Sequence, residues 1–221
     1  MRKVNAPNPS PALGIRVGCL AYFLGVRIHV LSRKYKVAFG AMILPLNLAL
    51  HRLRISADQL TFAGIVFGAL AGVAFGEGRL PLGALFLILA GVADMLDGSL
   101  ARVSGSASPF GSFVDSVADR ATDCLILGGL AWHYRDRAEL LVALAAIGGS
   151  FLVSYAKARA QGLGVACDIG LMERPERMIL LIAGALTGLM RPALWALAAL
   201  SLLTAAQRVL HVRRELAAPR R

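Results

Sequence analysis

Six apolar stretches divide most of this chain, at roughly Leu60–Phe75, Leu80–Ala93, Phe110–Trp132, Leu140–Ala156, Met178–Met190 and Ala193–Ala206. No period-2 alternation runs through them, and a sheet that spans a bilayer has to close into a barrel, so helices are expected. With 57% hydrophobic and only 17% charged residues in a chain of 221, the composition excludes an ordinary soluble domain. The fold class expected is an all-α integral membrane protein with six transmembrane helices at roughly 20 residues per span. Several stretches are shorter than that, so each helix is expected to extend into its polar flank.

The formal net charge of +11 first suggests nucleic acid. The basic residues, however, sit between the apolar stretches, where membrane topology places them, and no nucleic-acid partner is expected. Nineteen lysines and arginines fall on one side of the implied bilayer and four on the other, with Arg120 inside a helix. Both termini are therefore expected in the cytoplasm of a multi-pass cell-membrane protein. No cleavable signal is expected at the N-terminus, because prolines 7, 9 and 11 follow Arg2 and Lys3, and Arg27 and His29 interrupt the apolar piece Gly18–Leu31. The expected divisions are a peripheral extension over 1–36, an interfacial helix over 37–55, a six-helix domain over 56–212 and a basic cytoplasmic tail over 213–221. Cys19, Cys124 and Cys167 lack the spacing of a disulfide framework or a zinc site. Gly64, Gly68, Gly72 and Gly76 form a small-residue ridge on the first span, suited either to packing within the chain or to a dimer seam.

Against this apolar background, Gly91–Asp123 carries five aspartates at the cytoplasmic end of the second and third helices. Asp94 and Asp97 are three apart, and Asp115 and Asp119 four apart, so each pair shares a helix face; Asp123 lies a further turn in. The connection Val103–Pro109 is short, so the two helices are expected to be antiparallel neighbours with facing carboxylates. An aspartate at mid-bilayer costs about 2.5–3.5 kcal/mol on insertion scales, and like charges raise one another's cost. Oxygen-only ligands of this kind suit two Mg²⁺ or Mn²⁺ ions. The competing reading pairs the aspartates with arginines, but Arg102 and Arg120 leave two or three unmatched. Gly98 and Ala101 keep the second helix slim beside Asp97, where a phosphate ligand can approach, and Gly111 lets the third helix start close to its neighbour.

The run Asp97-Gly98-x2-Ala101-Arg102-x8-Gly111-x3-Asp115-x3-Asp119, with Asp94 upstream, resembles the motif of the CDP-alcohol phosphatidyltransferase family at every position. The resemblance extends over roughly Val37–Val212. It implies six transmembrane helices, usually a homodimer, and transfer of a phosphatidyl group from CDP-diacylglycerol to an alcohol with release of CMP, a step of phospholipid biosynthesis. It also implies that Asp94, Asp97, Asp115 and Asp119 hold the metals and that Asp119 is the base. Asp58 and Thr61, in "ISADQLTFAG", match places where the family has polar residues near the nucleotide, to which Gly98, Ala101, Arg102 and Gly111 are also assigned. An N-cap role for Asp58 is the alternative there.

Lys157, Arg174, Arg177 and Arg208 give the cytoplasmic mouth more cations than topology needs, and converging guanidiniums suit an anionic acceptor. The runs Tyr155–Arg159, Glu173–Arg177 and Gln207-Arg208 resemble the phosphatidylinositol-phosphate synthases of actinobacteria. That likeness implies inositol 1-phosphate as acceptor, its phosphate held by Lys157, Arg174, Arg177 and Arg208. Glycerol 3-phosphate is the alternative. Two other classes compete. A cation or proton transporter would spread its carboxylates through the bilayer depth, and an aspartate-rich prenyl transferase would carry adjacent aspartates, which are missing here.

Overall fold

The computed structural model describes residues 52, 53 and 55–217. The expected peripheral extension over 1–36 lies outside them, as does nearly all of the expected interfacial helix over 37–55. Among the described residues there are six long helices and no strand: α1 Ala57–Gly76, α2 Leu80–Ser104, α3 Pro109–His133, α4 Glu139–Gly162, α5 Arg174–Leu186 and α6 Met190–Ala217. Each overlaps one apolar stretch, and most extend past it at the polar end. α6 runs through Arg213 and Arg214, so the first part of the expected tail is helix.

Local chemistry sets the ends. Ser56, rather than Asp58, is the N-cap of α1: its hydroxyl accepts from Gln59 N–H at 3.2 Å and its own N–H donates to Gln59 Oε1 at 3.0 Å. Asp58 sits exposed in the first turn, where a negative charge complements the helix dipole. α2 stops at Gly105, whose φ of 69° is a left-handed conformation that glycine adopts freely. Four residues later α3 starts on the Ser108 cap with Pro109 in its first turn.

α1 packs against α2 and α3, α4 against α3 and α6, and α5 against α2 and α6, so the six helices close into a ring. Phe75, Leu87, Leu130, Leu194 and Leu197 fill its interior. α2 and α3, expected as direct neighbours, do not pack backbone to backbone; α1 lies against both and leaves an opening between their carboxylate faces. The glycine ridge is used within the chain. A Cβ on Gly64 would touch Ala90 and Ala93 of α2, one on Gly68 would strike Thr122, and one on Gly72 would run into the Leu125 carbonyl of α3. Gly129 meets the backbone of Gly72 from the other side just as closely.

Large apolar side chains such as Phe62, Phe110, Leu141, Ile179, Trp195 and Val209 point outward on all sides. Such an exterior suits hydrocarbon and not water. Four helices, α1, α2, α4 and α6, are long and apolar enough to cross a membrane. The other two differ from the expected six for separate reasons: α3 carries Asp115, Asp119, Arg120 and Asp123, and α5, at 13 residues, reaches only about 20 Å.

Gly72→Val forces α1 and α3 apart and is expected to lower the apparent Tm in detergent by about 3–10 °C. Gly128→Ala, with no atom within 4 Å of the added Cβ, is expected to leave it unchanged. Thermal unfolding of the two variants beside the wild type is the measurement.

Candidate active site

Three helices bring carboxylates and a hydroxyl to one cleft, lined by Thr61 and Gly64 of α1, Asp94 and Asp97 of α2, and Asp115, Asp119 and Thr122 of α3. Arg174 enters it from the first turn of α5. The i, i+3 spacing on α2 and the i, i+4 spacing on α3 stack the acids one turn apart, and the lack of a side chain on Gly68, where a Cβ would strike Thr122, lets α1 lie close against α3 beside the cleft.

Oxygens of Asp94, Asp97 and Asp115 lie within 4.8 Å of one another. Asp97 is 5% exposed, and its Oδ2 accepts from Thr61 Oγ1 at 2.7 Å. Thr61, expected beside the nucleotide, thus orients a carboxylate. Asp119 faces two cations: Arg174 Nη1 contacts its Oδ1, and Arg120 Nη1 stands 3.4 Å from its Oδ2. Arg174 Nη1 also lies 2.6 Å from Asp94 Oδ1. Deeper in the ring, Arg177 Nη2 donates to Asp123 Oδ2 at 2.8 Å.

The donor set fits hard divalent cations. All its ligand atoms are oxygens, and among the described residues neither Asp97 nor Asp115 has a cationic side chain within 4 Å. Arg174 at the centre and Arg120 beside Asp119 leave about half the charge of the four carboxylates unbalanced. The arrangement also defines where further positive charge is most favourable.

The remaining expected nucleotide residues form an open rim. Asp58 and Arg102 are exposed, and Gly98, Ala101 and Gly111 are half-buried. A Cβ on Gly98 would meet only the Arg102 guanidinium, at 3.8 Å, so that face of α2 is accessible. The Gly111 N–H is taken by the Ser108 cap at 2.9 Å.

The four acceptor cations do not converge on one point. Lys157 Nζ pairs with Asp168 at 2.7 Å and stands 3.8 Å from Glu173. Arg174 is among the aspartates, and Arg177 is 4% exposed on Asp123. Arg208 is 2% exposed and donates to Ile169 O, Val153 O and Glu173 Oε1 at 2.8, 2.7 and 2.9 Å. It fastens the segment 163–173 to α6 and α4, which offsets the cost of burying its charge. Thr204 helps by accepting from the Leu171 and Met172 N–H groups, both at 3.2 Å. Sequence reasoning missed Thr204, Glu173 and Asp123 in these roles. Spacing held one clue, since Thr204 and Arg208 are four apart on one face of α6.

A family model described as CDP-alcohol phosphatidyltransferase matches residues 54–210. The archaetidylinositol phosphate synthase of Methanothermobacter thermautotrophicus is 36% identical over 167 residues, covering 73% of this chain and 85% of that protein. The phosphatidylinositol phosphate synthase of Mycobacteroides abscessus is 36% identical over 196 residues, covering 83% and 88%. The crystal structure of Mycobacterium tuberculosis phosphatidylinositol phosphate synthase with CDP-DAG bound superimposes with a TM-score of 0.70 at 32% identity, covering 76% of this chain and 92% of that one. A second crystal structure of that protein, in complex with manganese and citrate, gives 0.71 at 32% identity, covering 76% and 88%.

Arg208→Met removes three anchors of the segment 163–173. Charged hydrogen bonds contribute about 1.5–3 kcal/mol each, so amide hydrogen exchange across Val165–Met172 is expected to speed by at least about tenfold. Mass-spectrometric exchange on the intact protein reads this, and an unchanged rate would remove Arg208 as the fastener.

Proposed function

We propose that this chain, which belongs to the CDP-alcohol phosphatidyltransferase family, transfers the phosphatidyl group of CDP-diacylglycerol to inositol 1-phosphate and releases CMP. The observation that carries the reading is the convergence of Asp94, Asp97 and Asp115 from two helices that leave space between them. The named activities of the relatives and the CDP-DAG bound to the Mycobacterium tuberculosis protein support the substrate pair.

Asp94, Asp97, Asp115 and Asp119 are the residues that would hold divalent ions. When bound, such ions supply positive charge to the pyrophosphate and to the departing CMP. Thr61 keeps Asp97 turned toward its neighbours through their hydrogen bond. The accessible face at Gly98 and Ala101 and the exposed Arg102 receive the nucleotide. Asp119 takes the proton of the acceptor hydroxyl as the new bond from that oxygen to phosphorus forms and the bond from phosphorus to the CMP oxygen breaks. Arg174 must leave Asp119 for that role, and it then becomes available to the acceptor phosphate along with Lys157. Arg177 and Arg208 act from behind, through Asp123 and the segment 163–173.

A lipid substrate and a water-soluble one have to meet at the membrane surface, which is where the aspartates lie if all six helices cross and both termini are cytoplasmic. α3 has the length to cross, and the cation asymmetry supports this orientation. A homodimer completes the proposal on family grounds.

The purified protein with CDP-diacylglycerol and Mn²⁺ or Mg²⁺ is expected to release CMP with inositol 1-phosphate and to stop when the metal is chelated. Equal or faster release with glycerol 3-phosphate would reassign the acceptor, and release without metal would remove the mechanism. Asp119→Asn is expected to lower kcat about 10²–10⁴-fold while the Tm is kept.

A further inference from the structure

Asp123 lies one turn beyond the aspartate motif, yet it faces two of the acceptor cations, one of which also contacts that motif. Its Oδ2 takes the Arg177 bond at 2.8 Å, and its Oδ1 faces Arg174 Nε at 3.7 Å, just beyond hydrogen-bond length. That Nε is fully buried without a hydrogen-bond partner, while Nη1 of the same guanidinium sits on Asp94 and Asp119. Arg174 is thus stretched between two acceptors. One end is bonded to carboxylates assigned to metal, and the other end is aimed at a carboxylate it does not quite reach.

A guanidinium and a divalent ion compete for the same oxygens of Asp94 and Asp119. When the ion arrives, like-charge repulsion drives the guanidinium toward the nearest remaining anion. Arg177 uses only Oδ2 of Asp123, so Oδ1 remains for Arg174, less than about 1 Å from bonding distance. We infer that Asp123 is a positioning residue that draws Arg174 off Asp94 and Asp119, leaving those two carboxylates to the metal. The inference rests on the reading of Asp94 and Asp119 as ligands. Without the Asp123 charge, Arg174 loses the acid that its Nε faces and competes harder for Asp94 and Asp119.

The test is Mn²⁺ binding by the purified, intact protein without nucleotide or acceptor, followed by electron paramagnetic resonance of free Mn²⁺. Asp123→Asn is expected to raise the Mn²⁺ Kd about tenfold, a change worth about 1.4 kcal/mol. Arg174→Gln is expected to tighten binding relative to the wild type, and the double variant to match Arg174→Gln alone, because Asp123 acts through Arg174. An unchanged Kd in Asp123→Asn would overturn the inference. So would an equal weakening in both backgrounds, which is what mere loss of a nearby negative charge would give. If Asp123→Asn fails to fold, Arg174→Gln decides alone: binding no tighter than wild type overturns the inference. A wild-type protein that binds no Mn²⁺ would overturn the ligand reading and this inference with it.

Discussion

Carboxylates on apolar helices need cations, and the architecture is organised around supplying them. α2 and α3 bring four acids to one mouth, and α1 lies between the two helices without closing the opening. α5 is short, and it presents Arg174 from its first turn to the centre of that mouth. In a low-dielectric surrounding, such opposite charges bind strongly and such like charges cannot all remain unpaired. The site therefore stores an electrostatic demand that Arg174 and Arg120 meet only in part.

Much of this was legible in the residues. The aspartate spacing put the right pairs on shared faces, and the apolar stretches located all six helices, because both signals are periodic and local. What escaped was set by tertiary reach. An arginine side chain extends far enough to choose among several acids, so spacing did not show that Arg174 would sit on Asp94 and Asp119 while Arg177 took Asp123. The short loop at Gly105 suggested that α2 and α3 touch, but the α1 backbone between them is a property of the whole ring. Ser56 outcompeted Asp58 as the cap because Gln59 closes the reciprocal pair of bonds.

Every cation assigned to the acceptor is held by an acid in this structure: Lys157 by Asp168, Arg174 by Asp94 and Asp119, Arg177 by Asp123, and Arg208 by Glu173. A phosphate entering such a place exchanges one anion for another instead of meeting bare charge. That keeps the basic groups solvated by protein at all stages and makes affinity a difference between two similar interactions. Arg208, fastened by three bonds, stands apart as the group least able to exchange.

The crossing of Gly72 and Gly129 lies about 15 Å along α3 from Asp119. With no side chain between the two helices there, it sets how closely α1 and α3 approach, and the Gly68–Thr122 contact carries that spacing to within one turn of Asp119. The aperture that admits a nucleotide headgroup is in this sense gauged by two residues that carry no functional group. Drift at these positions would detune the catalytic spacing without touching a single ligand.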